Sequence, residues 1–180
     1  MPIDRHDRDG VVDIWWDAVE SPVGALVIAR TGAGVMAIGW QPDELLDRLA
    51  AHVSPRIRRA PNALVAEHRQ LDEYFEGRRR RFEVEIDWTL VRGFRLEVLQ
   101  ELVAVPFGQV ITYTELAART GRPRAVRAVG SAMATNPLPI IVPCHRVLRT
   151  GGGLGGYSGA GGLETKRWLL VHEGVELDVG

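Results

Sequence analysis

The chain contains one cysteine, Cys144, in the run Pro143-Cys144-His145-Arg146-Val147. A solitary cysteine ordinarily serves as a small buried apolar side chain. Its neighbours here argue for reactivity: the proline fixes the turn that carries it, and His145 and Arg146 both favour a thiolate nearby. Adjacent side chains point apart in regular structure, so Cys144 and His145 are not expected to touch. A bridging water would connect them, with a carboxylate orienting the other imidazole nitrogen. A cysteine-protease pair is different, because its histidine lies far off in sequence. Just downstream, eight of the 20 glycines fall between Gly151 and Gly162, interrupted by Tyr157 and Ser158. The segment lacks the Lys-Ser/Thr ending of a phosphate-binding loop and the strand–glycine–helix context of a dinucleotide site. Two readings stand: a flexible linker, or a loop whose amides approach a planar ligand with Tyr157 as a wall.

These residues need elements to hold them. Over the first forty residues, Ile14-Trp15-Trp16, Ala25 to Ala29 and Val35 to Trp40 alternate with the turns Ser21-Pro22-Val23-Gly24 and Thr31-Gly32-Ala33-Gly34. That pattern predicts a small antiparallel sheet. Helices are expected from Asp43 to Ala51, entered through Pro42, and from Pro61 to Phe75, stopped by Gly77. Arg78 to Arg81 read as a solvated connector rather than a phosphate patch. Phe82, Val84 and Ile86 alternate as a returning edge strand, and the domain boundary falls near Trp88–Arg92.

Beyond the boundary, Phe94, Val98, Leu99, Leu102 and Val103 make a helix face ended by Pro106-Phe107-Gly108. Thr112-Tyr113-Thr114-Glu115 is a capping box opening a short helix that stops at Gly121. Pro123 restarts a second helix, roughly Arg124 to Thr135, rich in Ala, Gly and Ser. Two short helices joined at a glycine read as a helix-turn-helix. Small residues on the second helix permit close approach of either a neighbouring helix or a DNA backbone. Ile140-Ile141-Val142 reads as a buried strand leading to Cys144. Leu163 to His172 forms a last amphipathic helix ended by Glu173-Gly174.

Composition narrows the classes. The chain has 180 residues, 46% of them hydrophobic and 25% charged, an ordinary globular composition of one domain or two small ones sharing a core. No apolar run reaches the ~20 residues of a membrane span, and Met1 to Gly10 lacks the apolar core of a signal peptide. One cysteine excludes a disulfide framework and a cysteine-cluster zinc site, and suggests a reducing interior. The net charge of −1 hides a split, −4 over residues 1–88 and +3 over 89–180. A basic C-terminal half is compatible with a DNA-facing module. The cations are 21 arginines and one lysine, Lys166.

Ile141 to Val147 resembles the active-site signature of the O6-alkylguanine-DNA alkyltransferases, the methylated-DNA–protein-cysteine methyltransferases. Pro106-Phe107-Gly108, Thr112-Tyr113, Arg127-Ala128-Val129-Gly130, Asn136-Pro137, Gly156-Tyr157 and Lys166 to Leu170 follow in the family's order. The resemblance is strong from Phe94 to Gly174 and weaker over Ser21 to Gly24 and Tyr74 to Gly77. It implies an α/β fold: an N-terminal small antiparallel sheet with helix over residues 1–90, and a mainly helical, winged helix-turn-helix domain over 91–180. It also implies direct-reversal repair, in which an alkylated guanine (or O4-alkylthymine) is flipped out of duplex DNA and its alkyl group passes irreversibly to the cysteine. By that likeness Cys144 is the acceptor, His145 the base acting through water, and Glu173 its orienting carboxylate. Tyr113 assists the departing guanine, and Asn136 holds the turn before the active-site segment. Arg127 fills the gap left by the flipped base. Ala128 and Gly130 let the helix enter the minor groove, with Thr112, Tyr113, Arg122 and Arg124 also facing DNA. Pro139, Val147, Tyr157 and Ser158 form the base pocket.

No cofactor and no metal are implied, since the N-terminal zinc site of some relatives lacks cysteine ligands here. The expected partner is lesion-bearing duplex DNA, met by a monomer in a bacterial or archaeal cytoplasm. Arg95 and Leu99 replace the family's common Gln and Trp. The loop between Tyr157 and Lys166 runs about two residues long, which suggests tolerance of alkyl groups larger than methyl. Three rivals are weighed: a non-catalytic sensor of the same fold, a winged-helix transcription factor, and a cysteine hydrolase. Cys144 argues against the first, the Pro-Cys-His-Arg segment against the second, and single-turnover stoichiometry separates the third.

Overall fold

The computed structural model describes residues 13–177. The Met1–Gly10 segment discussed above lies outside the described residues. Strands β1 (Ile14–Val19), β2 (Leu26–Thr31), β3 (Gly34–Gly39) and β4 (Ile57–Arg59) form one sheet in the order β3-β2-β1-β4. β1, β2 and β3 pair antiparallel as expected, and β4 adds a short parallel strand beside β1.

The unbroken apolar run of β2 is explained by a sheet buried on both faces. Side chains alternate along a strand, so Leu26 and Ile28 join one core while Val27 and Ala29 join another. The second core is closed by Leu45 and Leu49 of helix α1 (Pro42–His52). The first is larger and continuous with the C-terminal half, joining Leu71 and Tyr74 of α2 (Val65–Phe75) to Val98 and Leu102 of α3 (Gly93–Val103). A 3-10 turn, Pro61–Ala63, precedes α2, so the expected single helix from Pro61 is broken at Leu64.

The expected strand at Phe82 to Ile86 reduces to one bridge, Val35 with Ile86. Gln70 takes both main-chain groups of Glu83, accepting from its N–H at 2.7 Å and donating to its carbonyl at 3.1 Å. Glu83 therefore has no main-chain group left for a ladder, and the pairing is confined to the bonds of Val35 with Glu85 O and Asp87 N. Arg78 and Arg79 pair with Glu76 and Glu73, and Arg80 lies over the Phe107 ring, so three of the four arginines in the run are partnered within the chain.

In the C-terminal half, β5 (Ile111–Thr112) pairs in parallel with β6 (Val147–Leu148). The capping box forms as read: Thr112 Oγ1 accepts from Glu115 N, and the Glu115 carboxylate accepts from Thr112 N at 2.8 Å, opening α4 (Tyr113–Arg119). Helix α5 (Val126–Ala134) starts two residues later than the sequence suggested, because Arg122 to Ala125 close a turn first, Ala125 N donating to Arg122 O. Helix α6 (Leu163–His172) ends in a Schellman motif, with Gly174 N bonded to Val171 O and Val175 N to Leu170 O. Gly174 at φ +80° makes that turn possible and fixes Glu173 at the helix end.

Candidate active site

The segment between α5 and the thiol is not the expected strand. Ile140 to Val142 are turns, and Ile140 sits at φ +77°, the left-handed region, where among the described residues no other non-glycine lies. A β-branched residue there is strained and persists only if its surroundings hold it. Asn136, itself buried, supplies the hold: its Nδ2 donates to Val142 O at 2.9 Å and its Oδ1 accepts from Leu138 N at 3.0 Å. Its amide thus pins both ends of the turn that carries Ile140, which Val142 N closes by donating to Leu138 O at 2.8 Å. Pro143, at φ −81° and ψ 65°, makes an inverse γ-turn closed by Cys144 N donating to Val142 O. Cys144 then opens a 3-10 turn, Cys144–Arg146.

Burial raises the Cys144 thiol above its ordinary pKa; the Asn136 side chain, the Lys166 charge and the amides of Cys144 and His145 oppose that rise. The site therefore rests as a thiol with donors already aimed at the sulfur. His145 is fully buried, and its Nε2 meets Glu173 Oε1 at 2.8 Å. Burial depresses the imidazole, which Glu173 partly offsets, while its Nδ1 has no protein partner.

Glu173 is the hub. Arg146 donates to both its oxygens, Nε to Oε2 at 2.8 Å and Nη2 to Oε1 at 2.9 Å. Tyr74 donates its hydroxyl to Oε1 at 2.7 Å, and Gly108 its N–H to Oε2 at 3.2 Å. A carboxylate at a helix C-terminus is repelled by the helix dipole. Burial too would push it up, but the bonds from His145 and Arg146 prevail and hold it well below the usual carboxylate range. Glu173 is thus a fixed anion.

Above the thiol opens a cleft of about 720 Å³. Tyr113, Arg127, Gly130, Tyr157 and Ser158, all expected at the site, line it together with Cys144. Burial raises the Tyr113 phenol, and a thiolate at Cys144 would raise it further, so it stays protonated as a donor. On α5, Val129, Ala132 and Met133 face the core while Arg127, Ala128 and Ser131 face outward. A Cβ added at Gly130 would meet nothing within 4 Å. Helix packing therefore does not account for this small-residue face, and something outside the chain can lie against it.

Other expected residues stand elsewhere. Val147 is fully buried in β6, and its carbonyl accepts from Lys166 Nζ at 2.6 Å, so it does not line the cleft. Pro139 lines a second cleft on the far side of the glycine-rich loop. Arg122 turns toward α3, 3.4 Å from Glu97 and over the Phe94 ring. Thr112 spends its side chain on the helix cap. Ala128 and Arg124 are exposed but do not line the cleft.

Sequence reasoning did not single out Tyr74, Arg146 as a partner of Glu173, Gly108, Arg149 of the cleft wall, or Lys166. The Lys166 side chain is fully buried, and its Nζ donates to the carbonyls of Val147, Leu154 and Gly156. It ties the glycine-rich loop to β6, and burial lowers its pKa to about 8. Its being the one lysine among 22 cations was the available signal. The weak family likeness over Tyr74 to Gly77 gave Tyr74 no role, and it lies 99 residues from Glu173. Among the described residues no group of three or more His, Cys, Asp or Glu could hold a metal ion.

Two family models match in order: the 6-O-methylguanine DNA methyltransferase ribonuclease-like domain over residues 14–88, and the DNA binding domain of the same family over 93–175. The methylated-DNA–protein-cysteine methyltransferase of Mycobacterium bovis is 37% identical over 162 residues, covering 89% of this chain and 92% of that protein. The rat protein of the same name is 53% identical over 84 residues, 46% of this chain, and the match spans 40% of that longer protein. The crystal structure of Mycobacterium tuberculosis OGT in complex with DNA superposes with a TM-score of 0.75 at 35% identity, covering 89% of this chain and 93% of that one. With both models matched in order and a relative of this identity aligned over nearly its whole length, the chain belongs to the 6-O-methylguanine DNA methyltransferase family.

Proposed function

We propose that this chain repairs DNA by direct reversal, moving the O6-alkyl group of a flipped-out guanine to its own Cys144. The observation that carries the reading is the placing of Cys144 in a cleft between the outward small-residue face of α5 and Tyr157, with His145 and Glu173 behind it. A proton passes from Cys144 Sγ through one water to His145 Nδ1, the nitrogen free of protein partners. Sγ attacks the alkyl carbon, a sulfur–carbon bond forms and the carbon–O6 bond breaks. The electron pair leaves on guanine, which Tyr113 protonates or hydrogen-bonds; the proton held on His145 restores the balance. Because Cys144 is buried, its thiolate forms when the substrate is in place rather than standing free. The product thioether has no route back, so each chain acts once.

Arg127, at the cleft rim, takes the place of the flipped base, and the exposed face of α5 enters the minor groove. Residues 91–180 then carry recognition and chemistry, while residues 1–90 support the Glu173 hub through Tyr74. No helix among the described residues is long and apolar enough to cross a membrane. A thiol that must stay reduced suits the cytoplasm.

Intact mass after mixing with a duplex carrying one O6-methylguanine tests the reading. The expected result is one methyl per chain, mapped to Cys144 and absent from Cys144→Ser, which still binds DNA. Selective binding without mass gain would replace repair with lesion sensing.

A further inference from the structure

The cleft above Cys144 and the second cleft, about 790 Å³, share Ser158 and Ala134, so the glycine-rich loop is a partition between them. Tyr157 is the wall on the thiol side. Its hydroxyl is buried with no hydrogen-bond partner, so no polar contact fixes the ring. Packing does. Among the described residues the ring that meets it is Trp40, edge-on at 6.4 Å and 78°. The two rings close around Gly159, where an added Cβ would stand 2.4 Å from Tyr157 and 2.7 Å from Trp40. Trp40 is anchored in turn, its Nε1 donating at 2.9 Å to Val23 O in the turn between β1 and β2.

We propose that Trp40 is a specificity-determining residue, which by propping Tyr157 across Gly159 sets the width of the alkyl pocket. The inference rests on the alkyl-transfer reading and gives the N-terminal half a part in substrate choice. Behind Tyr157 lies the second cleft, lined by Trp40 itself. Removing the indole gives Tyr157 room to recede. A methyl group makes small demands on that wall; a benzyl group needs the space behind it.

The test compares single-turnover transfer to Cys144 from duplexes carrying O6-methylguanine or O6-benzylguanine. Trp40→Ala is expected to raise the benzyl-to-methyl rate ratio by about tenfold, the scale on which an apolar pocket discriminates neighbouring sizes. Trp40→Phe, which keeps an aromatic edge, should stay near the wild type. Gly159→Ala should lower the benzyl rate in the wild-type background and much less beside Trp40→Ala, since the rings can then part. Should Trp40→Ala not fold, Trp40→Leu carries the same expectation. An unchanged ratio, or equal Gly159→Ala losses in both backgrounds, overturns the proposal while leaving alkyl transfer intact. A wild-type chain that takes up no methyl overturns the transfer reading and this one with it.

Discussion

Tyr74→Phe isolates one bond in the Glu173 hub. The ring stays packed against Phe75, Phe82, Phe107 and His172, and the loss is confined to the hydroxyl that donates to Glu173 Oε1 at 2.7 Å. That oxygen keeps His145 and Arg146, so no buried charge is left bare. A hydrogen bond to a charged group contributes about 1.5–3 kcal/mol. For a chain of this size the variant should therefore melt roughly 3–12 °C lower. The pH dependence has a defined sign. Glu173 is held well below the ordinary carboxylate range, so its contribution is fully present above the unfolded pKa of about 4.3 and is lost as pH falls through the folded value. Losing a donor raises that folded value, so the variant loses its acid stability at higher pH than the wild type, and the gap between them narrows in strong acid. Chemistry responds through His145, whose surroundings are Glu173, Arg146 and Lys166. With Tyr74 no longer sharing Oε1, the imidazolium is better stabilised. The acid limb of the transfer rate should then move to higher pH. Single-turnover transfer from free O6-benzylguanine over pH 5–9 reads this without DNA binding. An unchanged melting temperature refutes the energetic argument, and a uniform rate loss with a fixed limb reduces Tyr74 to packing.

Asn136→Ala should cost about 1–3 kcal/mol in denaturant unfolding, because it strands the buried Leu138 N–H, whereas the Val142 carbonyl keeps its bond from Cys144 N. It also removes a donor to the Cys144 sulfur, so the thiol pKa read by alkylation kinetics should climb further; a loss under about 1 kcal/mol would count against the clamp. Arg127→Ala should slow transfer from duplex DNA by at least about tenfold, the loss of one good contact, while sparing transfer from the free base. Equal losses on both substrates would deny it the base-replacing role.

What the sequence disclosed divides by range. The Thr112–Glu115 capping box was legible because all its partners lie within one turn. The apolar run of β2 was legible as a strand, though not that it serves two cores. Ile140 to Val142 looked like a strand for the same reason, apolar bulk, yet it is a turn closed by Val142 N on Leu138 O and pinned at Leu138 and Val142 by one asparagine amide, which periodicity does not register. Phe82 to Ile86 alternated correctly, yet Gln70 takes the main-chain groups of Glu83 and leaves only the Ile86 end bridged to Val35. At the site, the Cys144 and Glu173 assignments came from the family motif, and the structure brings Glu173 to His145. The donors that keep Glu173 ionised come from α2, the Pro106–Gly108 turn and the Cys144–Arg146 turn, contacts that exist only after folding.

The burial of Lys166 reaches beyond the site. With 21 arginines beside this one lysine, the native chain offers amine-directed chemistry no surface side chain. Acylating reagents, amine cross-linkers and enzymes that modify lysine find, apart from the chain terminus, only an ammonium enclosed by three carbonyls. Its labelling must wait for the loop and α6 to separate, so the acylation rate of Lys166 measures how often the C-terminal half opens.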